Sequence, residues 1–182
     1  MANPRTQFSD KSQLRETMRE RSSRLSPVER QKRSRRICEK LYPLFGEKKR
    51  LGLFAPTESE PDLDLLWSLE MLRDHLVAYP RCDGDILAFR PVSGLGDLVR
   101  GKFGIREPGP GPGIEVLDLI VVPGVAFSAG GNRLGRGRGF YDRLLATIPV
   151  TTATVGVCFE FQLLAEILCE PHDRDVEIVV CG

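Results

Sequence analysis

Apolar residues near the start of the chain recur at the three-to-four-residue spacing of an amphipathic helix. A first helix is predicted over residues 10–25, where Leu14, Met18 and Leu25 share one face and charged residues occupy the others. The apolar stripe is therefore expected to pack against the rest of the protein.

A second helix is predicted from Pro27 to about Phe45. Ser26 is a suitable N-cap, proline suits the first helical position, and Glu29 completes a capping box. Gly46 is expected to end this helix. Its predicted buried face carries Val28, Ile37, Leu41 and Leu44.

After residue 50 the pattern changes to short apolar runs that alternate with helical segments. Helices are predicted from Pro61 to about Leu72, at 140–145 and at 160–168, and the Gly- and Pro-rich segment 93–113 is expected to be mostly loop. Strands are predicted at 51–55, 76–79, 86–92, 117–122, 152–159 and 176–181.

This alternation predicts an α/β protein: a three-layer α/β/α fold around a central, mostly parallel (mixed) sheet. The run 117–122 is almost entirely apolar, as expected of a central strand buried on both faces. No linker or repeat divides the chain. We therefore expect a single domain over residues 1–182, with the basic helices of residues 10–45 packed on the α/β core.

Composition narrows the class of protein. No apolar run approaches the roughly 20 residues of a membrane helix, and the polar N-terminus lacks the apolar core of a secretory signal. The five cysteines are odd in number and widely spaced, and there are only two histidines. A disulfide framework and a zinc site are therefore disfavoured. A cytoplasmic location is the default expectation.

Charge is distributed unevenly along the chain. Residues 1–50 carry 15 Lys and Arg against 6 Asp and Glu, whereas the remainder carries 11 against 19. A basic N-terminal part is typical of a protein with an anionic partner, such as a nucleoside triphosphate or a nucleic acid. A solvated helical face would give the same pattern.

The segment 130–142 carries the chemistry. Gly135, Gly137 and Gly139 alternate with Arg136 and Arg138 between a predicted strand and a predicted helix. Glycines let backbone N–H groups approach an anion, and arginines add charge-assisted contacts to phosphate. The pattern is neither a Walker loop nor a dinucleotide fingerprint. It favours phosphate binding over the alternative, a flexible surface loop that contacts RNA nonspecifically.

Asp142 follows this loop directly. Carboxylate oxygens beside a phosphate site can hold Mg²⁺, which binds oxygen ligands and bridges to nucleotide phosphates. An acidic residue favoured by the start of a helix is the alternative explanation.

The stretch Asp118-Leu-Ile-Val-Val-Pro-Gly-Val-Ala-Phe127, with Asn132-Arg-Leu-Gly-Arg-Gly-Arg-Gly-Phe-Tyr-Asp142, resembles the hallmark segment of the 5-formyltetrahydrofolate cyclo-ligases. The resemblance continues in Tyr79-Pro-Arg-Cys82 and in Gly104-Ile-Arg-Glu-Pro108. It departs from the family at Phe140, where a tyrosine is common, and at Glu177, where an aspartate is usual.

The resemblance implies roles for particular residues. It implies substrate contacts from Ala55, from Glu60 (with Glu58 as the weaker choice) and from Tyr141, and Mg²⁺ ligands at Asp142 and Asp173. It implies ATP binding by Lys11, Arg15, Arg133, Leu134, Gly135, Arg136, Gly137, Arg138, Gly139, Phe140 and Tyr141.

The activity that the resemblance implies is an ATP- and Mg²⁺-dependent cyclisation of 5-formyltetrahydrofolate to 5,10-methenyltetrahydrofolate, releasing ADP and phosphate. Such a ligase needs no covalent protein nucleophile, and none is expected. Neither a membrane nor a nucleic acid is an expected partner, and the protein is expected to be a monomer. An RNA-binding relative and a ligase for another N-formyl substrate are the alternatives.

Overall fold

A computed structural model describes residues 10–182 of the chain. These residues form four α-helices, eleven strands and three short 3₁₀ helices. In chain order they are α1 (Lys11–Ser23), α2 (Pro27–Phe45), β1 (Arg50–Gly52), α3 (Leu65–Ser68), β2 (Leu76–Asp83), β3 (Ile86–Val92), β4 (Leu98–Arg100), β5 (Arg106–Pro108), β6 (Leu119–Val122), β7 (Ala126–Ser128), β8 (Arg133–Leu134), α4 (Phe140–Leu145), β9 (Ala153–Cys158), β10 (Leu163–Leu164) and β11 (Ile178–Cys181).

A six-stranded sheet forms the centre, in the order β11-β9-β6-β1-β2-β3. Every neighbouring pair is parallel except β2 and β3, which form an antiparallel hairpin at one edge. The three-stranded sheet β10-β7-β8 and the hairpin β4–β5 lie outside it. The predicted mostly parallel, mixed sheet is confirmed.

Helices cover both faces of this sheet. Because side chains alternate between the faces of a strand, Leu119 and Val121 of β6 enter the core cluster that includes residues of α2 and α3. Ile120 and Val122 enter a second cluster, to which residues of α4 and the segment after it contribute. The protein is thus a three-layer α/β/α structure, as predicted.

The two N-terminal helices begin where their caps predict. The Gln13 N–H donates to Asp10 Oδ1 at 2.8 Å, and the Glu29 N–H donates to Ser26 Oγ at 3.2 Å. Ile37 and Leu41 of α2 are fully buried. The prediction that Val28 is buried was wrong: its side chain is 76% exposed, because it lies in the first turn on the outer face. Tyr42, on the same helix, is also exposed.

Strand β2 extends past the predicted end at Tyr79 to Asp83. Proline has no N–H, so a proline in a strand that is paired on both sides leaves one hydrogen bond of the ladder unmade. Pro80 is tolerated because β1 pairs with β2 only as far as Ala78, so that beyond this residue β2 has one neighbour, β3.

Two predicted helices are corrected. The helix expected from Pro61 to Leu72 contains only the four residues of α3, and Glu70 adopts a positive φ of 56° that ends helical geometry. The helix expected at 160–168 is reduced to one 3₁₀ turn at Glu160–Gln162, and the rest of that prediction is wrong. Leu163 and Leu164 instead pair with β7, because tertiary strand pairing overrides local helical periodicity. The loop predicted at 93–113 contains the β4–β5 hairpin.

The Asp118 side chain, just before β6, forms hydrogen bonds with residues at the start of β1. It accepts the N–H groups of Lys49 and Arg50 at 2.9 Å each, and the Arg50 guanidinium at 2.6 Å. The hydrogen bond from Arg50, assisted by the two backbone N–H groups, lowers the pKa of Asp118 from 3.8 to about 2. The negative charge of this carboxylate therefore has a structural use in aligning two central strands.

This lowered pKa predicts a pH dependence of stability. The folded-state pKa lies below the unfolded value, so the contribution is complete above about pH 4 and is lost as the pH falls towards 2. Solvent screens part of the interaction, and we expect Asp118→Asn to remove about 1 kcal/mol of this acid-dependent stability. Urea unfolding of both proteins at about pH 6 and about pH 3 measures the difference. Equal losses of stability in the two proteins on acidification would contradict the assignment.

Candidate active site

A cavity of about 440 Å³ opens at the carboxyl ends of the parallel strands. Ala55 follows β1, Pro80 and Cys82 belong to the end of β2, and Pro123 follows β6; all four line the cavity. Parallel strands end at one edge of a sheet, and this edge is where open α/β sheets bind ligands. The volume is within the range of small-molecule sites.

The wall of the cavity is strongly cationic. Three carboxylates, of Glu60, Glu107 and Asp142, contribute to it. Seven cationic side chains do so: Arg15, Arg19, Lys102, Arg106, Arg133, Arg136 and Arg138. The site therefore favours anionic ligands.

Helix α1 contacts the Gly-rich loop at one end of the cavity. The Arg15 guanidinium donates to the Gly135 carbonyl at 2.8 Å. It also lies against Gly137, whose φ of 90° is in the region that favours glycine. Any side chain at 137 would be strained and would point towards Arg15. Two elements that are about 120 residues apart in the sequence thus form one cationic corner.

A buried ion pair joins Arg133 to Asp142. The Arg133 guanidinium, whose side chain is 3% exposed, donates to Asp142 Oδ1 at 2.5 Å. The Nε of Arg133 is buried without a hydrogen-bond partner in the part of the chain that the structure describes. This geometry fixes Asp142 at the cavity wall and leaves Arg133 able to donate one more hydrogen bond.

Tyr141 presents a second buried polar atom without a partner. Its hydroxyl has no hydrogen bond within residues 10–182, although the residue lines the cavity. Burial is the main cause that raises the pKa of Tyr141, so the phenol stays protonated and can donate. A buried unpaired hydroxyl is costly, and a polar atom of a bound ligand would satisfy it.

Glu60 is buried and holds the loop after β1. Its Oε2 accepts the Thr57 N–H at 2.9 Å and the Thr57 hydroxyl at 2.8 Å. Its Oε1 lies 3.1 Å from the Arg136 guanidinium. Of the two glutamates considered from the sequence, Glu60 lines the cavity, whereas Glu58 is exposed outside it.

Lys11 makes a different contact from Arg15. Its ammonium donates to Glu170 Oε2 at 2.5 Å and to Asp173 Oδ2 at 2.6 Å. Burial opposes the charged form, but the hydrogen bonds to the two carboxylates raise the pKa of Lys11 overall. Lys11 is therefore a firmly charged link between α1 and the segment 170–173.

The two predicted metal ligands lie in different surroundings. Asp173 forms a possible donor group with Glu170 and His172, whose ligand atoms are all within 4.8 Å of one another. Asp142 is not part of that group. Asp142 fits a divalent cation because only its Oδ1 has a partner among residues 10–182, and the residue lines the cavity. Oδ2 of Asp173 accepts from both Lys11 and the Glu170 N–H.

Cys82 lines the cavity as a neutral thiol. Burial, assisted by the nearby Glu107 carboxylate, raises the pKa of Cys82. All five cysteines are free. A thiolate nucleophile is therefore not provided at this position.

Most of the predicted site residues share this cavity. Eleven of them line it: Ala55, Glu60, Arg15, Arg133, Gly135, Arg136, Arg138, Gly139, Phe140, Tyr141 and Asp142. The other four lie elsewhere. Gly137 contacts Arg15 at its edge, Lys11 and Asp173 pair beside α1, and Leu134 packs in the apolar cluster around Met18.

Comparison with known proteins decides the family. The model of the "5-formyltetrahydrofolate cyclo-ligase family" matches residues 7–182. The chain belongs to this family. It is therefore a member of a family of ligases, as the sequence resemblance implied.

Individual relatives of this family agree. The chain is 45% identical to the 5-formyltetrahydrofolate cyclo-ligase of Mycolicibacterium smegmatis over 82 residues, covering 43% of this chain and 42% of that protein. It is 27% identical to that of Mus musculus over 184 residues, covering 92% and 91%. The solved structure of 5,10-methenyltetrahydrofolate synthetase from Aquifex aeolicus superposes with a TM-score of 0.83 at 34% identity, covering 94% of this chain and 89% of the other.

The structure of this cyclo-ligase family member adds cavity residues that sequence reasoning missed. Arg19 lies one helical turn after Arg15 and could have been found from that spacing. Glu107, in the family segment Gly104-Ile-Arg-Glu-Pro108, is buried and lies 3.3 Å from Arg81. Lys102 and Phe103 carry no motif signal, because only the β4–β5 turn brings them to the cavity. No helix within residues 10–182 is both long and apolar enough to cross a membrane.

Proposed function

We propose that the protein converts 5-formyltetrahydrofolate to 5,10-methenyltetrahydrofolate in a reaction that consumes ATP, requires Mg²⁺ and releases ADP and phosphate. The observation that carries the proposal is the contact of Arg15 with the Gly-rich loop at the edge of a cationic cavity. The family names describe the cyclisation, and this corner supplies the binding chemistry that a nucleoside triphosphate needs.

The phosphate chain would lie at the corner formed by α1 and the Gly-rich loop. Arg15, Arg133 and Arg136 all line the cavity here. Backbone N–H groups of residues 135–139 would add donors. Helix α4 has only six residues and contributes little dipole of its own. Lys11 would approach the phosphates only by exchanging its present carboxylate partners, Glu170 and Asp173.

Asp142 is the carboxylate best placed to hold Mg²⁺, and Asp173 is the second candidate. Bound there with the nucleotide, the ion would neutralise charge that develops on the transferring phosphoryl group. Arg133 orients Asp142 through their 2.5 Å ion pair, so the carboxylate does not have to be ordered when the ligands bind.

The folate would occupy the part of the cavity between Ala55, Glu60 and Tyr141. Glu60 keeps the loop after β1 in place and balances Arg136. The unpartnered hydroxyl of Tyr141 would donate to a polar atom of the pterin or of the formyl group. Pterins carry several such acceptors.

The chemistry requires positioning more than a reactive side chain. The formyl oxygen is a poor leaving group, so it would first take the γ-phosphoryl group from ATP, with ADP leaving. N10 of the folate would then attack the activated carbon and lose its proton, and phosphate would leave with the former formyl oxygen as the ring closes. The cations and Tyr141 would hold the two substrates in line and stabilise charge, which is how proteins accelerate such transfers.

One assay tests the proposed reaction. The purified protein is mixed with 5-formyltetrahydrofolate, and the absorbance of methenyltetrahydrofolate is followed with and without ATP and Mg²⁺. A signal that needs both is expected. Absence of the signal with both present, or a signal independent of ATP, would reject the proposal.

Arg15 is expected to act on ATP binding. Removing one charge-assisted contact to phosphate costs about 1.5–3 kcal/mol, so Arg15→Ala should raise the KM for ATP about 10- to 100-fold. The KM for 5-formyltetrahydrofolate should change little. Arg21→Ala is the matched control, since Arg21 belongs to the same helix but does not line the cavity. An unchanged KM for ATP in Arg15→Ala would contradict this placement of the phosphates.

We also infer a cytoplasmic site of action. The five cysteines are free, and three of them, Cys82, Cys169 and Cys181, are not buried. Unpaired accessible thiols persist in reducing compartments.

A further inference from the structure

Two cations at the rim of the cavity lack an acidic partner within residues 10–182. The Arg138 guanidinium lies 3.7 Å from the centroid of the Phe103 ring, and Lys102 Nζ lies 5.3 Å from the same centroid. The two charges are therefore at most about 9 Å apart and repel each other. A bound anion would relieve this repulsion.

Of the other cavity cations, three pair with a carboxylate of residues 10–182 and two do not. Arg106 pairs with Asp64, Arg133 with Asp142 and Arg136 with Glu60. Arg15 and Arg19, on α1, have no acid partner in the described part of the chain. The uncompensated cations thus belong to two groups: Arg15 and Arg19 on α1, which we call the α1 end, and Lys102 and Arg138 beside the turn of the β4–β5 hairpin, which we call the hairpin end.

The two substrates also present two separate anionic groups. ATP carries its charge on the phosphates, and a folate carries its carboxylates on the glutamate chain, at the opposite end from the pterin. If the phosphates occupy the α1 end, the hairpin end remains for carboxylates. Complementary charge of this kind fixes the orientation of a ligand.

We propose that Lys102 and Arg138 bind the glutamate carboxylates of the folate substrate, with the aminobenzoyl ring lying against Phe103 and Phe140. This inference rests on the proposed function. It assigns Arg138, which the sequence grouped with the ATP ligands, to the folate, and it makes Lys102 a specificity-determining residue for the length of the glutamate chain.

The aromatic residues support this assignment. Phe103 is 43% exposed although it is large and apolar. Its φ of 64° is in the left-handed region that non-glycine residues seldom adopt, and such conformations concentrate at ligand sites. The Phe140 ring lies 6.1 Å away at a tilt of 54°. Both line the cavity and offer flat apolar surface beside the two cations.

Lys102→Gln tests the proposal with two substrates, the monoglutamate and the triglutamate of 5-formyltetrahydrofolate. Wild type is expected to have the lower KM for the triglutamate. In Lys102→Gln the KM for the triglutamate should rise about tenfold and that for the monoglutamate about threefold, as expected for loss of an ion pair. The KM for ATP should be unchanged, and Lys102→Arg should restore the preference.

Lys32→Gln is the matched control, because it removes the same positive charge from an exposed position on α2. Circular dichroism melting shows that each variant is folded. A raised KM for ATP with unchanged folate values would overturn the proposal, since the hairpin end would then bind phosphate. An unchanged ratio of the two folate KM values would overturn it as well.

Direct binding of the triglutamate, measured by titration calorimetry on wild type and Lys102→Gln, separates this inference from the proposed function. If the wild type does not convert 5-formyltetrahydrofolate but the variant binds the triglutamate more weakly, the proposed reaction is rejected and the carboxylate site is retained. Turnover by wild type with equal binding by both proteins would reject the site alone.

Discussion

Asp142→Ala is expected to lose turnover and to be less stable than the wild type. The substitution removes the carboxylate proposed to hold Mg²⁺, and we expect kcat to fall about 100-fold or more. It also leaves the Arg133 guanidinium, which is 3% exposed, without its acid partner. Breaking a buried pair in this way costs about 3–5 kcal/mol of unfolding free energy. Urea unfolding and the methenyltetrahydrofolate assay measure the two losses.

Asp142→Asn separates the two effects. An asparagine oxygen can still accept from Arg133, so this variant should recover much of the stability while remaining poorly active. The Mg²⁺ concentration needed for half-maximal rate should increase. Full activity of Asp142→Asn with unchanged Mg²⁺ dependence would show that this carboxylate does not serve the metal, whatever its effect on folding.

Glu60→Ala has the second largest expected effect. The change removes the acceptor for the N–H and the hydroxyl of Thr57 and the charge that balances Arg136. We expect the KM for 5-formyltetrahydrofolate to rise about 30-fold or more, because the loop proposed to form one wall of the folate site loses its anchor. The unfolding free energy should fall by about 2 kcal/mol, because two partly buried hydrogen bonds are lost.

Glu60→Gln is the control for the charge alone. It keeps an oxygen for Thr57 but lacks the negative charge beside Arg136, so its stability should approach that of wild type. If Glu60→Ala binds the folate as well as wild type does, the role of this loop in the substrate site is wrong. An equal KM increase in both variants would assign the effect to the charge and not to the loop.

The fold was largely predictable, and the misses have physical causes. The caps at Ser26 and the apolar run of β6 act locally, so their prediction needed no tertiary information. The error at residues 160–168 arose because Leu163 and Leu164 fit a helical face and a strand equally well. Pairing with β7 decided between them. Val28 is exposed because a residue in the first turn of a helix can lie beyond the edge of the packed face.

The candidate site was predictable where function needs a contiguous segment. The Gly-rich loop, Tyr141 and Asp142 lie within a few residues of one another, and their residue types alone indicate an anion site with a carboxylate. The partners of these residues were not predictable. These pairs depend on distances in the folded protein, not on spacing in the sequence. They are Asp142 with Arg133, Glu60 with Arg136 and Asp173 with Lys11.

The sequence by itself determined the α/β class, the family resemblance and the glycine- and arginine-rich pattern of residues 130–142, because periodicity, glycine and charge are properties of local sequence. Only the tertiary structure decided how the charges are compensated. It placed Lys102 and Phe103 of the β4–β5 hairpin at the cavity and grouped Asp173 with Glu170 and His172. It also left the Tyr141 hydroxyl without a partner among residues 10–182. Compensation of charge and burial of polar atoms depend on which side chains meet across the fold, and sequence spacing does not encode these distances.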